Sequence, residues 1–466
     1  MSKLYKNLLA ILLVGAVSLH ASAQDGYWSS RSDIGSMQTD KAVARQSFPK
    51  EFKLFQLDIA PMRQQMFSIV DNRGRNTVIT LPNADGSMER FRIWEASNFE
   101  PALQARFPEI RAFSGSSLDD PGAMLKISVS PQGIQTMVFR NNGKPNEYIE
   151  PYSADHTVYA VFKSQRAKGG LPWTCSTPDA DMAQGLRNQV YSGRPESNAG
   201  QLKTMRLAQS CNGEYSNFFG ATSAAQVALV LAAFNATLTR CNGCYEKDLA
   251  IHLNLIANTT AVIYYDPATD PYTTLGAWNG QLQATLTANI GEANYDIGHM
   301  FGASGGGGNA GCIGCVCVDG QKGRGITSPA DGIPQGDNFD IDYVAHEVGH
   351  QMGGNHTFSF SNEGFGVNVE VGSGITIMGY AGITGQDVAP HSIDIFHAAS
   401  IQQIQVNMAG KTCPVTTNQA GINATPTVAA LTSYTIPIST PFLLSGTATD
   451  ADAGDVLTYC WEQMDD

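Results

Sequence analysis

The segment HEVGHQMGGNH, which begins at His346, constrains this chain more than any other stretch. His346 and His350 are four residues apart, so on a helix both imidazoles project from one face and can bind one metal ion. Glu347 follows the first histidine, where its carboxylate can act on water at that metal without being a ligand. Gly353 is suited to end the helix, which lets the chain return His356 to the same metal. Three neutral nitrogen ligands leave one tetrahedral position open, a pattern typical of catalytic zinc.

The spacing H-E-x-x-H-x-x-G-x-x-H resembles that of the metzincin metalloproteases at every fixed position. Metzincins also have a tight turn with a methionine beneath the metal, and Met378 in GSGITIMGYAG has that place, an ordinary core residue being the alternative. In the astacin and serralysin groups a tyrosine lies two residues after this methionine. The resemblance therefore implies that Tyr380 is a hydroxyl donor to the oxyanion, and a packed aromatic ring is the alternative.

Within the metzincins, roughly residues 203–415 look most like the reprolysin-like enzymes of secreted bacterial proteases. Thr357 follows the third histidine where animal reprolysins have Asp, so a pappalysin-like relative is the alternative subfamily. The zinc peptidases that use a downstream glutamate ligand fit poorly, because His356 already supplies the third ligand and Glu363 and Glu370 lack the surrounding motif. The resemblance implies a zinc-dependent endopeptidase that acts on protein or peptide substrates.

Residues 1–23 predict a secretory signal peptide, because Lys3 and Lys6 precede an apolar run that ends in the small residues Ala-Ser-Ala. No later stretch reads as a transmembrane helix, so we expect a secreted, extracellular protein. The formal net charge of −13 argues against a nucleic-acid partner.

The composition divides the rest of the chain into three parts. Residues 24–202 predict a β-rich propeptide with hairpin turns, ending in a Gly-, Pro- and Ser-rich processing linker that contains Arg187 and Arg194; a separate binding module is the alternative. Residues 203–416 alternate helical and strand patterns, which predicts an α/β catalytic domain with a twisted mixed sheet. Residues 421–466 read as the start of an immunoglobulin-like or cadherin-like β-sandwich.

Two further features of these parts bear on possible sites. The strand IGHMF is expected to border the substrate cleft, where an extended peptide adds as another strand, and its His299 is interpreted as structural. In the last part, the acidic side chains favour either a calcium site or a plain acidic turn. These side chains are Asp450, Asp452 and Asp455.

Nine cysteines in an exported chain favour disulfides over a second metal site. This interpretation covers the two clusters Cys241/Cys244 and Cys312/Cys315/Cys317. The resemblance to reprolysins implies one particular bridge, from Cys317 to Cys413.

Cys175 lies in the Pro-flanked segment LPWTCSTPD at the end of the predicted propeptide and loosely resembles the cysteine-switch loop of matrixins and reprolysins, although Ser176 replaces the usual Gly. A thiolate in the open zinc position displaces the attacking water, which predicts a zymogen switch. A disulfide from Cys175 to Cys211 is the alternative. For the whole protein the alternative is an inactive binding or adhesion protein on a metzincin scaffold, which has no need of Glu347.

Overall fold

A computed structural model describes residues 26–33, 37–72, 74–164, 173–178, 200–361, 367–419 and 421–464. The predicted signal peptide and the predicted processing positions Arg187 and Arg194 lie outside the described residues.

The N-terminal part is a nine-stranded antiparallel sheet, which confirms the β-rich region that the hairpin turns predicted. The strands are β1 (Trp28–Arg31), β2 (Lys53–Leu57), β3 (Thr77–Pro82), β4 (Met88–Glu95), β5 (Arg111–Ser117), β6 (Met124–Ser130), β7 (Gly133–Phe139), β8 (Glu147–Pro151) and β9 (Val158–Lys163), with helices α1 (Ile59–Phe67) and α2 (Pro101–Arg106). The strand order is β1-β2-β9-β8-β7-β6-β5-β4-β3, so most neighbours are joined by short hairpins.

The second part is a six-stranded mixed sheet with helices, as the alternating pattern predicted. Its strands are β10 (Gln201–Cys211), β11 (Ile251–Leu255), β12 (Ile297–Phe301), β13 (Gly307–Asn309), β14 (Gly325–Ser328) and β15 (Val415–Asn418). Its helices are α3 (Gly213–Phe218), α4 (Val227–Leu249), α5 (Trp278–Asn289), α6 (His346–Met352) and α7 (Ala398–Ala409), and π-helical turns over Asn338–Ala345 lead into α6. Short 3-10 turns cover Lys41–Ala44, Ala224–Gln226, Thr259–Val262, Leu275–Ala277 and Glu292–Asn294.

The edge of this sheet is not the strand that the sequence suggested. The order is β11-β10-β12-β14-β13, with β13 antiparallel to β14 and β15 pairing with the start of β10. The strand IGHMF is β12, which pairs with both β10 and β14, so it is interior and its predicted place at the cleft border is wrong. The edge is β13, a three-residue strand from a glycine run.

Alternate residues of the nine-stranded sheet enter two different cores, because successive side chains of a strand point to opposite faces. One face, with Phe55 and Val161, packs around Met62 of α1. The other face, with Tyr148 and Phe162, shares a core with α4 and α6. The two sheets therefore have α4 between them.

Helix α4 is part of Ala224–Leu249, the one segment among the described residues that is long and apolar enough to cross a membrane. However, 67% of its most apolar window is buried inside the protein. That burial is typical of a core helix.

Only part of the cysteine chemistry follows the sequence prediction. The Cys317–Cys413 bridge is confirmed and ties the loop before α6 to the end of α7, and Cys312 pairs with Cys315. The disulfide predicted for Cys241 and Cys244 is wrong: both are buried free thiols within α4, in contact with main-chain carbonyls.

The β-sandwich predicted at the C-terminal end is not confirmed. Described residues 421–464 contain one pair of two-residue strands, β16 (Thr427–Val428) and β17 (Ala448–Thr449). The carboxylates of Asp450, Asp452 and Asp455 lie within 4.8 Å of one another. The N–H of Asp452 donates to the carboxylate of Asp450, as in an acidic turn. Calcium is therefore not supported.

A buried ion network joins the two parts. Arg240 on α4 lies 2.9 Å from carboxylate oxygens of Glu150 and Asp340, and Arg45 lies 2.6 Å from Glu150. All four side chains are at most 2% exposed. Burial raises the pKa of Asp340 to about 6, although Arg240 acts in the opposite direction. Glu150 and Arg45 belong to the N-terminal part, so the network pairs charges across the contact.

We predict that Arg240→Ala lowers the free energy of unfolding by about 3–5 kcal/mol, because it removes the cation between two buried carboxylates. The control is Arg90→Ala, which breaks the exposed pair with Asp119 and costs about 0–1 kcal/mol. Urea titration of the full chain measures the free energy of unfolding of both variants. Equal losses in the two variants would contradict a stabilising role for the buried network.

Candidate metal centre

Three buried imidazoles converge on one point. His346 and His350 project from α6, which ends at Met352, and Gly353 follows with a φ of +126° that suits only glycine. The chain then reverses and brings His356 back to the helix. The Nε2 atom of His350 lies 3.1 Å from that of His346 and 3.0 Å from that of His356.

Main-chain carbonyls fix the orientation of two of the rings. Nδ1 of His346 lies 2.7 Å from the carbonyl oxygen of Ile377, and Nδ1 of His350 lies 2.7 Å from that of Gly354. A proton on each Nδ1 leaves the Nε2 lone pair directed at the shared point. Burial, reinforced by the other two histidines, holds the pKa of His350 well below its usual value, so the ring is neutral, as a metal ligand must be.

The turn containing Met378 closes the site from below. A Cβ placed on Gly349, in the middle of α6, would lie only 2.6 Å from the sulfur of Met378, so the helix and the turn meet where there is no side chain. The N–H of Thr357 donates to the carbonyl of Met378 at 3.2 Å. The turn thus contacts both the helix and the segment that holds His356.

Glu370 ties the third histidine to this turn. Its carboxylate accepts hydrogen bonds from the hydroxyls of Thr357 and Thr376, both at 2.5 Å, and from the N–H groups of Ile375 and Thr376. Glu370 therefore supplies a carboxylate beside Thr357, the residue that replaces the Asp of animal reprolysins. It does not belong to the cluster of candidate metal ligands.

Cys175 adds a fourth candidate donor to the three histidines. Its Sγ lies 3.6 Å from Nε2 of His350, and the candidate ligand atoms of Cys175 and the three histidines are all within 4.8 Å of one another. Zn–N distances of about 2.0–2.1 Å place two tetrahedral nitrogens roughly 3.4 Å apart, close to the spacing here. The donors therefore fit zinc. Burial, with the charge of Glu347, raises the pKa of the Cys175 thiol, which a cation in the site would counteract. The alternative disulfide is wrong, since Cys175 and Cys211 are both free.

Backbone pairing holds the segment Trp173–Pro178 in the cleft. Cys175 forms a parallel bridge with Gly308 of the edge strand β13, where the N–H of Gly308 donates to the carbonyl of Thr174 at 3.0 Å and the N–H of Ser176 donates to that of Gly308 at 2.9 Å. A Cβ on Gly308 would lie 2.2 Å from Glu347 Oε1, so the close approach requires glycine.

Glu347 is buried beside the histidines, and the same segment contacts it. The hydroxyl of Thr177 donates to Oε2 of Glu347 at 2.9 Å and accepts from the N–H of Ala310 at 2.7 Å. Burial raises the pKa of Glu347 to about 7, whereas the contacts with Cys175 and Thr177 act in the opposite direction. A carboxyl group with a pKa near neutrality is suited to both accept and return a proton.

Tyr380 lies over the histidines, with its ring centroid 4.7 Å from that of His356. Its hydroxyl donates to the carbonyl oxygen of Cys175 over a long 3.4 Å. His299, by contrast, lies outside the cluster. Its ring forms hydrogen bonds with the side chains of Gln351 and Thr327, and burial lowers its pKa to about 4. These contacts agree with the structural role that the sequence predicts.

Sequence reasoning gave no role to Thr177, Gly308 or Glu370. Two features of the sequence point toward these residues: the glycine run before α6, and Thr357 in place of Asp. Neither feature indicates which distant residue contacts it in the folded protein.

Comparison with known proteins agrees with this geometry. Residues 201–407 match the sequence model of the reprolysin-like metallo-peptidase family M12B. No curated protein matches the chain. The matched region contains the three histidines, Glu347 and Met378. Residues 201–407 are therefore similar to the reprolysin-like metallo-peptidases of family M12B, which confirms the resemblance to the metzincins.

Proposed function

We propose that this protein is a secreted zinc-dependent endopeptidase made as a zymogen, with residues 24–202 as its propeptide and 203–416 as its catalytic domain. The observation that carries the proposal is the convergence of three buried histidines and one thiol on a point beside the buried carboxylate of Glu347. The sheet itself runs from Gln201 to Asn418, close to the proposed boundaries. The two disulfides favour an oxidising compartment, which supports export.

Family M12B peptidases use zinc, and His346, His350 and His356 would hold it here. A bound zinc ion supplies Lewis acidity toward the scissile carbonyl and makes water a better nucleophile. Glu347 accepts the proton of the attacking water and then passes it to the leaving amine. Tyr380 donates its hydroxyl hydrogen to the carbonyl oxygen as negative charge develops there.

An extended substrate would pair with the main chain of β13. This edge strand offers the N–H and C=O groups of Gly308 beside Glu347, and the segment around Cys175 already uses them. The segment around Cys175 pairs with that edge and also contacts the histidines, Glu347 and Tyr380. Substrate and segment therefore compete for one cleft. This competition is the proposed basis of latency.

The first prediction for this function separates the general base from the ligands. Glu347→Gln should keep about one zinc per chain and the fold but lose most turnover, whereas His350→Ala should lose the zinc. Metal analysis of each purified protein, with peptide cleavage before and after chelation, provides the measurement. Wild-type turnover in Glu347→Gln rejects the mechanism, and a zinc-loaded, processed protein that cleaves no peptide supports the inactive binding scaffold instead.

A second prediction concerns the hydroxyl of Tyr380. Tyr380→Phe should reduce kcat by roughly 100-fold, equivalent to about 3 kcal/mol for a lost oxyanion donor, with little change in zinc content. The ring contacts with His356 and Phe358 remain in this variant. An unchanged kcat leaves Tyr380 with a purely structural role.

The third prediction tests latency. Cys175→Ser should give an unprocessed precursor that already cleaves peptide, and adding Thr177→Val should raise that activity further by releasing Glu347. Ser176→Ala is the matched control, because the hydroxyl of Ser176 bonds to Gly308 and Asn309 rather than to Glu347, and its precursor should stay inactive. A Cys175→Ser precursor as inactive as the wild type contradicts the switch.

A further inference from the structure

The side chain of Trp173 fills a space beside the candidate metal ligands. The indole is 5% exposed and lies parallel to the ring of Tyr343, with centroids 4.4 Å apart and 5° between the planes. The indole is nearly perpendicular to the ring of His346, with centroids 5.7 Å apart. Because Trp173 contacts both rings, Tyr343 and His346 face the same side of that segment.

The residues around this space contact Trp173 through the shape of its ring rather than through hydrogen bonds. A Cβ on Gly308 would lie 2.6 Å from Cζ2 of Trp173, so the missing side chain of the edge strand makes room for the ring. The indole Nε1 is buried and has no hydrogen-bond partner among the described residues. Recognition of Trp173 therefore rests on ring stacking and area burial.

Tyr343, Gly308 and His346 all lie in the metallopeptidase domain, whereas Trp173 belongs to the segment proposed to leave it. Removal of that segment exposes the face of Tyr343 directly beside a metal ligand. The segment is paired in extended form with β13, so a side chain of a peptide paired with the same strand reaches the same space.

We propose that the face of Tyr343, bounded by Gly308 and His346, is a substrate subsite that selects a large aromatic side chain next to the scissile bond. The inference rests on the proposed peptidase function and specifies its substrate class: polypeptides with Trp, Tyr or Phe at that position. A stacked aromatic pair adds about 2- to 12-fold in affinity beyond its buried area. We therefore expect a preference of at least this size over an aliphatic side chain.

Cleavage profiling of the zinc-loaded, proteolytically processed enzyme on a peptide library tests the preference. The wild type should favour aromatic residues at one fixed position, and the ratio of kcat/KM for aromatic over leucine peptides should fall about 10-fold in Tyr343→Leu. Tyr343→Phe keeps the ring and should retain the ratio within about 2-fold. Cleavage without aromatic preference, or a ratio that Tyr343→Leu leaves unchanged, overturns the proposal.

A second measurement does not need turnover. Trp173→Gly in the full chain should leave a cavity that free indole fills, so saturating indole should raise its melting temperature. Wild type, whose cavity is occupied, and the double variant Trp173→Gly/Tyr343→Leu should show no rise. If no variant cleaves any peptide, the peptidase function fails while this result still decides the subsite. No rise in Trp173→Gly overturns it.

Discussion

The structure depends on bringing three buried imidazoles to one point inside the protein. Like partial charges and lost hydration oppose this arrangement, so each ring must be held by its surroundings. Helix α6 sets the spacing of two rings and Gly353 returns the third, while carbonyls orient the first two. Met378 packs against α6, and the carboxylate of Glu370 accepts a hydrogen bond from Thr357. These contacts hold the loops that complete the site.

The N-terminal part is coupled to this site by two kinds of contact. The first is the buried pairing of Glu150 with Arg240 on α4, which leaves charges without full compensation if the parts separate. The second is the segment of Cys175, which is placed in the cleft by hydrogen bonds to Gly308 rather than by its own fold. Together these contacts explain how the N-terminal part places the thiol of Cys175 beside three histidines of the second part.

Local spacing predicted much of the molecule, and non-local pairing limited the rest. The helix at His346, the Cys317–Cys413 bridge and the N-terminal hairpins follow from short-range patterns or family resemblance. The edge strand β13 could not be found, because a glycine run has low β-propensity and becomes a strand only through its partner β14. Cys241 and Cys244 share the spacing of a bridge or ligand pair, yet both are buried free thiols on one helix. The contact of Thr177 with Glu347 depends on docking that periodicity does not encode.

We propose that one metal site is built from both parts of the chain, with Cys175 beside His346, His350 and His356. X-ray absorption at the zinc edge of the zinc-loaded, unprocessed full chain tests it most directly. We predict one sulfur at about 2.3 Å and three nitrogens at about 2.0–2.1 Å from the metal. A shell of nitrogen and oxygen alone, unchanged by Cys175→Ser, would contradict it.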